Sequence, residues 1–276
     1  MLAQPSTAPQ QVFRLSTDLV AVDVAVRQGS NPIKGLKSED FELLDNGVRQ
    51  AVEAVSIEEV PVDLTLLLDA SSSTAPVIER FRANAEQIAA MLRARDRVRL
   101  IAFSTGVTEV FPLIGAGERL PMQRLSARGG TSLHDALLLS LVRTPGEGHR
   151  QLVVVFSDGH DTTSVVSAAT LADVASRSDC VLHFVLSGSF GAPPPTERSL
   201  RAAAEATGGV LHDSPGGVGD AVGAFRRLFE DFRQSYVLRY TLAGVPSPGW
   251  HDITVRVVSK NSQRYTVRAR RGYYGS

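Results

Sequence analysis

The chain has 276 residues, of which 43% are apolar, and this supports one large domain or a large domain with a small one. Its 29 Lys and Arg residues balance 29 Asp and Glu residues, so the formal net charge is zero. Nucleic-acid binders need a basic surface to neutralise phosphates, and membrane spans need longer apolar runs than any here, so we exclude both classes.

The first residues are polar and contain proline. Residues 1–11, "MLAQPSTAPQQ", lack the basic and apolar regions of a signal peptide, and we interpret them as a flexible leader left without an export signal. Residues 12–60 follow without helical periodicity. "LVAVDVAV" alternates with a period of two, as a half-buried strand does, and its apolar face holds Val20, Val22, Val24 and Val26. Asn46-Gly47 between two strand-like runs predicts a hairpin.

Residues 61–232 alternate strand and helix. "VDLTLLLD", "RVRLIAFS", "QLVVVFSD" and "CVLHFVL" are apolar runs typical of buried strands, and "VTEVFPL" is expected beside the second. A helix is predicted after Ser73 or Thr74 as N-cap, with an apolar face made of Ile78, Phe81, Ala85, Ile88 and Leu92. The last helix is predicted to carry Val218 and Phe232. Right-handed crossovers then give a Rossmann-like, doubly wound α/β fold with a mostly parallel sheet.

Residues 233–276 return to strand periodicity. "SYVLRYTL", "HDITVRVVS" and "RYTVRARRGYY" are three alternating runs, separated by the turns "AGVPSPGW" and "SKNSQ". Neither end of the chain has enough strands to bury a face alone, but together they supply about six. We therefore predict one small β-sandwich-like domain built from 12–60 and 233–276, with 61–232 inserted into it.

Three segments carry oxygen-bearing side chains at predicted strand or helix ends. "DASSST" has the spacing D-x-S-x-S, "GGTSLHDAL" places a threonine before a helix, and "SDG" follows a buried strand. The carboxyl ends of parallel strands form one crevice. Hydroxyls and carboxylates suit Mg²⁺, or Mn²⁺ or Ca²⁺, and one coordination position would remain for a carboxylate of a partner protein. The predicted metal site consists of Asp69, Ser71, Ser73, Thr131 and Asp158.

These motifs resemble the von Willebrand factor type A (VWA) domain and its metal-ion-dependent adhesion site, over residues 61–232. The resemblance implies that Ser71, Ser73 and Thr131 contact the metal, and that Asp69 and Asp158 bind it directly or through water. Many family members have glycine where this chain has Ser72. The flanking "GLKSEDFELLDNGVRQAV" and "VRARRGYY" resemble a bacterial exported group related to this family. That resemblance implies a periplasmic, cell-surface or secreted protein.

The expected function is metal-dependent capture of an Asp or Glu of a protein partner, with loops near 104–108, 128–132 and 159–165 as the rim. His160 and Asp161 are candidates for this rim. An envelope scaffold with a purely stabilising metal site is the alternative. A phosphatase-like hydrolase is less favoured, because its general acid would stand two residues after Asp69, where this chain has Ser71. No G-x-S-x-G elbow and no lysine-containing phosphate loop is present, so we expect no enzyme activity.

Overall fold

The computed structural model describes residues 19–57, 60–186, 194–213, 221–258 and 264–275. The predicted leader at 1–11, the helix position Val218 and the predicted turn at 259–263 lie outside the described residues. Within the described ranges, no helix is both long and apolar enough to cross a membrane.

One sheet dominates the middle of the chain. Its strands are β6 (Val62–Asp69), β7 (Arg97–Phe103), β8 (Val107–Gly115), β9 (Arg150–Ser157), β10 (Val181–Leu186) and β11 (Leu211–Asp213). In the described part of the chain they form a six-stranded sheet in the order β11-β10-β9-β6-β7-β8. All neighbours are parallel except β7 and β8. Every residue of β6 and β9 is buried, as a central parallel strand covered on both faces requires.

Helices cover both faces of this sheet. They are α1 (Ala75–Ala83), α2 (Ala85–Ala89), α3 (Leu133–Leu141), α4 (Ala168–Arg177), α5 (Pro194–Ala206) and α6 (Ala221–Arg233). Residues of α1, α2 and α6 pack into one apolar core, and residues of α3, α4 and α5 pack into the other. The predicted doubly wound α/β fold is confirmed.

The first helix differs from its prediction. The apolar spacing predicts one continuous helix, but the backbone leaves the helical conformation at Asn84 (φ −110°, ψ 10°) between α1 and α2. The Asn84 side-chain amide donates to the Arg80 carbonyl at 2.7 Å and so competes with the helix hydrogen bonds. Thr74 stands at the N-cap position, but its hydroxyl donates to the carbonyls of Asp69 and Ser71 instead of capping the helix.

Strands from the two ends of the chain pair with each other. The N-terminal strands are β1 (Leu19–Gln28), β2 (Asn31–Pro32), β3 (Phe41–Asp45), β4 (Val48–Gln50) and β5 (Ala54–Ile57). The C-terminal strands are β12 (Tyr236–Thr241), β13 (Gly249–Val257), β14 (Thr266–Ala269) and β15 (Gly272–Gly275). Among the described residues, β14-β1-β12-β5 form one sheet with β2 beside β1, and β15-β13-β3-β4 form another. Their shared core includes Val22, Val24, Leu43 and Tyr240.

The predicted hairpin turn at Asn46-Gly47 is present between β3 and β4. Asn46 and Gly47 have φ values of 47° and 79°, as the two central residues of a type I′ turn require. The last predicted strand is different, because "RYTVRARRGYY" divides into β14 and β15, which lie in different sheets. Between them the Arg271 N–H donates to the Ala206 carbonyl at 3.1 Å, which bends the chain toward α5.

A buried polar cluster joins four strands of the two β-sheets, namely β3, β12, β13 and β15. His251 is fully buried, with Nδ1 2.7 Å from the Asp45 carboxylate and Nε2 2.9 Å from the Ser247 carbonyl. Because a carboxylate and a carbonyl both accept, this geometry suits an imidazole with a proton on each nitrogen, which is the charged form. The hydroxyls of Tyr240 and Tyr273 donate to the other Asp45 oxygen at 2.7 and 3.0 Å. Burial opposes the charged ring, but the hydrogen bonds and charge of Asp45 outweigh it and raise the pKa of His251.

We predict that His251→Gln destabilises the protein more at pH 6 than at pH 9. A raised folded-state pKa contributes stability that is fully present below the unfolded value of about 6.5 and is lost as pH rises through the folded value. The expected loss at pH 6 is about 1–3 kcal/mol, typical of charge-assisted hydrogen bonds. Urea unfolding of both proteins at the two pH values measures it. An equal loss at both would show that the ring is neutral in the folded chain.

Candidate metal centre

The site lies at the carboxyl ends of two neighbouring strands. Asp69 is the last residue of β6, and Asp158 directly follows β9, which pairs with β6. The chain turns sharply after Asp69, because the Ser71 N–H donates to Asp69 Oδ1 at 2.9 Å. The Thr74 hydroxyl stabilises the same turn by donating to the backbone carbonyls of Asp69 and Ser71. The sequence after β6 is thus folded back onto its own aspartate.

Ser72, where many VWA domains have glycine, does not strain this loop. Among the described residues, the one non-glycine residue with a positive φ is Asn46, so Ser72 occupies ordinary backbone conformation within a short 3₁₀ turn. Its side chain is exposed, and its N–H donates to the Gly129 carbonyl at 3.3 Å. The backbone at position 72 therefore does not require glycine, and serine is accommodated without strain.

Four of the five predicted site residues are joined by side-chain contacts or by the loop itself. The Ser73 hydroxyl donates to Asp158 Oδ2 at 2.6 Å, which links the loop after β6 to the loop after β9. The hydroxyls of Ser71 and Ser73 are 3.1 Å apart. Asp69 is fully buried, and its second oxygen accepts a 2.6 Å hydrogen bond from Ser157. The carboxylates and hydroxyls thus converge on one point of the sheet edge.

Thr131 reaches the site through its loop. Its side chain is buried, but no hydrogen bond among the described residues joins its hydroxyl to the other four predicted residues. Its segment lies against the first loop, because the Arg128 N–H donates to the Ala70 carbonyl at 2.8 Å. Gly129, with φ +78°, permits a close approach to the β7–β8 loop, since a Cβ there would stand 2.5 Å from the Thr105 hydroxyl.

The loop after β9 is fixed to the start of α3. Asp161 accepts from the His134 N–H at 2.8 Å, and Asp135 accepts from the N–H groups of Val165 and Val166 at 3.0 and 2.8 Å. Asp161 is a candidate for the rim, and its carboxylate accepts the His134 N–H in the first turn of α3. His160 contributes its backbone N–H to Asp158 Oδ1 at 3.1 Å.

The electrostatics of the site favour a cation. Burial raises the pKa of Asp69, and the neighbouring charge of Asp158 raises it further. Hydrogen bonds from Ser157 and Ser71 oppose this rise. A carboxylate in this position lacks the positive partner that buried charges require, and a divalent ion would supply it.

The oxygen donors fit a small, hard cation. Neighbouring ligands of an octahedral Mg²⁺ with bonds of 2.0–2.1 Å lie about 3 Å apart. The 3.1 Å between the Ser71 and Ser73 hydroxyls agrees with that spacing. Among the described residues, no group of three His, Cys, Asp or Glu side chains is placed to hold a metal. A metal held here would use hydroxyl oxygens beside carboxylate oxygens, which are the hard donors that Mg²⁺, Mn²⁺ and Ca²⁺ accept.

Sequence reasoning missed the residues that position this site. Ser157, Thr162 and Asp135 carry no metal-ligand pattern, yet Ser157 holds Asp69 and Thr162 accepts the Thr131 N–H at 2.8 Å. Ser157 was recognisable as the residue before Asp158 in "FSDG". Asp135 was recognisable as an acidic residue in the first turn of a helix, but the N–H groups that it accepts belong to Val165 and Val166 in the loop before α4.

The comparisons with known proteins agree on one domain type. A family model described as "VWA domain containing CoxE-like protein" matches residues 46–208, more than half of the chain. The match begins at the β3–β4 turn and ends before α6, whereas the sequence motifs predict 61–232. No curated protein sequence matches the chain.

Several solved structures share this fold at low identity. The von Willebrand factor type A protein from Catenulispora acidiphila has a TM-score of 0.53 at 13% identity, with 96% of this chain and 76% of that chain covered. The ArnB paralog VWA2 from Sulfolobus acidocaldarius has 0.52 at 11%, with 91% and 75% covered. Proximal thread matrix protein 1 from the mussel byssus, described with a zinc-occupied MIDAS motif, has 0.52 at 14%, with 68% and 49% covered.

We predict that Ser157→Ala lowers the free energy of unfolding by about 1–3 kcal/mol, because the buried Asp69 carboxylate loses a donor. Chemical denaturation measures the change. Ser140→Ala is the matched control, since Ser140 is equally buried but its hydroxyl donates only to the Ala136 carbonyl within α3. If the two substitutions cost the same, the Ser157–Asp69 hydrogen bond has no special role.

Proposed function

The chain belongs to the family of VWA-domain-containing CoxE-like proteins, and on that premise we propose that it captures an acidic side chain of a protein partner through a Mg²⁺-occupied metal-ion-dependent adhesion site. The VWA fold is a protein-interaction fold, and its carboxyl-end crevice is where open α/β sheets bind ligands. The metal, the acidic ligand and the adhesive role are parts of the proposal.

Five residues would hold the metal. Ser71, Ser73 and Thr131 would supply hydroxyl oxygens, while Asp69 and Asp158 would supply charge, directly or through water. When bound, the ion would offer a coordination position to a carboxylate from outside the chain. The observation that carries the proposal is the 2.6 Å contact between Ser73 and Asp158, since it brings hydroxyl and carboxylate from separate loops together at one strand edge. The zinc-occupied MIDAS of the mussel protein supports a metal at this kind of site.

The site is better suited to binding than to catalysis. A phosphatase-like aspartate needs a second carboxylate two residues later as general acid, and Ser71 occupies that position. The Ser71 N–H also donates to Asp69 Oδ1, and the Ser157 hydroxyl donates to Oδ2, so both oxygens of this carboxylate are engaged. We therefore propose a non-enzymatic module, and an exported location that follows the resemblance of its flanks.

The rim offers an apolar anchor for the partner. Val165 is 93% exposed, although its N–H donates to Asp135 at 3.0 Å and its backbone is thereby fixed. This exposed side chain, on a loop that belongs to the proposed rim at 159–165, is available for contact with a partner. Val165 would supply apolar contact area while the metal supplies the charge.

We predict that the full chain binds one Mg²⁺ per molecule, and that Asp69→Ala and Asp158→Ala weaken this binding at least 10-fold. Calorimetric titration with MgCl₂ measures it. Asp173→Ala is the control, because Asp173 is 59% exposed on α4 and takes no part in the site. Ser157→Ala should weaken binding about 10–100-fold, as loss of a group that orients a ligand does. Equal Mg²⁺ affinity in wild type and Asp69→Ala would show that the metal does not bind at this site.

We predict that proteins captured from the native envelope fraction with Mg²⁺ are lost with chelator and with Asp158→Ala. Val165→Ser should weaken capture about 10-fold while Mg²⁺ affinity stays unchanged, because it removes only apolar contact. Val142→Ser, at another exposed valine (59%), is its matched control. Capture of the same proteins under all conditions would favour the scaffold alternative, with a metal site that only stabilises the loops.

A further inference from the structure

A second cleft lies at the opposite end of the six-stranded sheet. Its volume is about 590 Å³, within the range of small-molecule sites. It is lined by residues at the amino ends of β9 and β10, such as Gln151 and Val181, and by residues of β1, β12 and β15, such as Ala21, Val237 and Tyr274. The metal centre stands at the carboxyl ends of the same parallel strands, so the two sites are separated by the length of the sheet.

One wall of this cleft combines arginine and tyrosine. The Arg177 guanidinium carbon lies 3.9 Å from the centre of the Tyr274 ring, and Tyr274 is 47% exposed. The Arg270 guanidinium lies 5.9 Å from the Tyr273 ring. Arginine stacked on an aromatic ring is held flat and keeps its N–H groups available for carboxylates and phosphates. This wall therefore offers a flat surface with positive charge at its edge.

The charges of the lining are unequal. Four arginines and two aspartates line the cleft. Asp179 pairs with Arg270 at 2.8 Å, and Asp23 pairs with Arg150. The carboxylate that pairs with Arg177 is Asp173, which lies outside the lining and contacts only Nε of the guanidinium. The terminal amino groups of Arg177 donate to none of the described residues.

The remaining lining is apolar or accepts hydrogen bonds. Leu19, Val20, Val60 and Leu242 contribute apolar side chains. Gln151 also lines the cleft, and its buried Oε1 accepts no hydrogen bond from the described residues. A ligand that suits this lining has an apolar or aromatic body, an anionic group and a hydrogen-bond donor.

We infer that this cleft is a binding site for a small aromatic organic anion, whose ring packs against the Arg177–Tyr274 pair and whose anionic group lies between Arg177 and Arg270. Nothing in the inference depends on a metal ion. Because the cleft is bordered by strands from both ends of the chain and by the central sheet, an occupant would bind all three parts and would stabilise the folded chain by mass action.

The chain carries its own reporter of this site. Its single tryptophan, Trp250, has its ring 5.4 Å from the Tyr274 ring. Titration of the full chain with 8-anilinonaphthalene-1-sulfonate, an aromatic anion, should quench Trp250 emission by energy transfer and saturate at one molecule per chain. The uncharged parent, N-phenyl-1-naphthylamine, should bind at least 10-fold more weakly because it lacks the anionic group.

Two variants locate the binding. Arg177→Gln and Arg270→Gln should each weaken binding of the sulfonate at least 10-fold. Because the Arg177 side chain is half-exposed, Arg177→Gln is not expected to disturb the fold. Arg201→Gln is the matched control, since Arg201 is 44% exposed and pairs with Glu197 at i,i+4 as Arg177 does with Asp173. Chelator should change nothing, which separates this site from the metal centre. Unchanged affinity in Arg177→Gln, or equal affinity for the uncharged parent, would overturn the inference.

Discussion

The buried carboxylate of Asp69 is the constraint on which the loops at the carboxyl ends of β6 and β9 depend. It sits at the end of β6, in the middle of the sheet and without exposure to solvent. A charge in that position requires donors from every side. The chain supplies them from its own turn, through the Ser71 N–H, and from the neighbouring strand, through Ser157. The requirement to satisfy one carboxylate therefore fixes the loop after β6 against the end of β9.

The other loops are fixed in turn by contacts with these two. Ser73 reaches Asp158, and the Gly129 carbonyl accepts from Ser72. The carbonyl of Thr131 accepts the N–H groups of Thr162 and Thr163 at 2.8 and 3.0 Å. Each of the three segments is thus bonded to the next by backbone groups. Such a network holds its oxygens at set distances before any ligand arrives, which is the preorganisation that tight binding needs.

The sequence predicts the fold and the site to different depths. Short apolar runs such as β6 and β9, rich in Leu and Val, favour strands, and burial of all eight residues fits a parallel strand covered on both faces. The Asn46-Gly47 turn is equally local, because its backbone conformation belongs to those residues. The break at Asn84 and the division of β14 from β15 were not predicted. The first is accompanied by the side-chain hydrogen bond of Asn84, and the second by the backbone hydrogen bond from Arg271 to α5, which is far away in sequence.

The site shows the same limit. A motif identifies the side chains that would bind a metal, but it does not identify the residues that position them. Ser157, Asp135 and Thr162 resemble other polar residues until the fold brings their loops together. The cleft at the amino ends of the strands could not be predicted from the sequence either, because its lining comes from distant parts of the chain. Arg177 and Tyr274 are separated by about a third of the chain, and the return of β15 to the end of α4 brings them together.

The amino-acid composition gave the least information about where the charges lie on the folded chain. A formal charge of zero excludes a basic nucleic-acid-binding surface over the whole chain, but it does not show where the charges lie. The fold places Asp69 and Asp158 at the carboxyl ends of the central strands, and Arg150, Arg177 and Arg270 around their amino ends. The two proposed sites would therefore take opposite charges, a cation at the carboxyl ends of the strands and an anion at their amino ends. A parallel sheet makes this separation possible, because all its strands present the same terminus at the same edge.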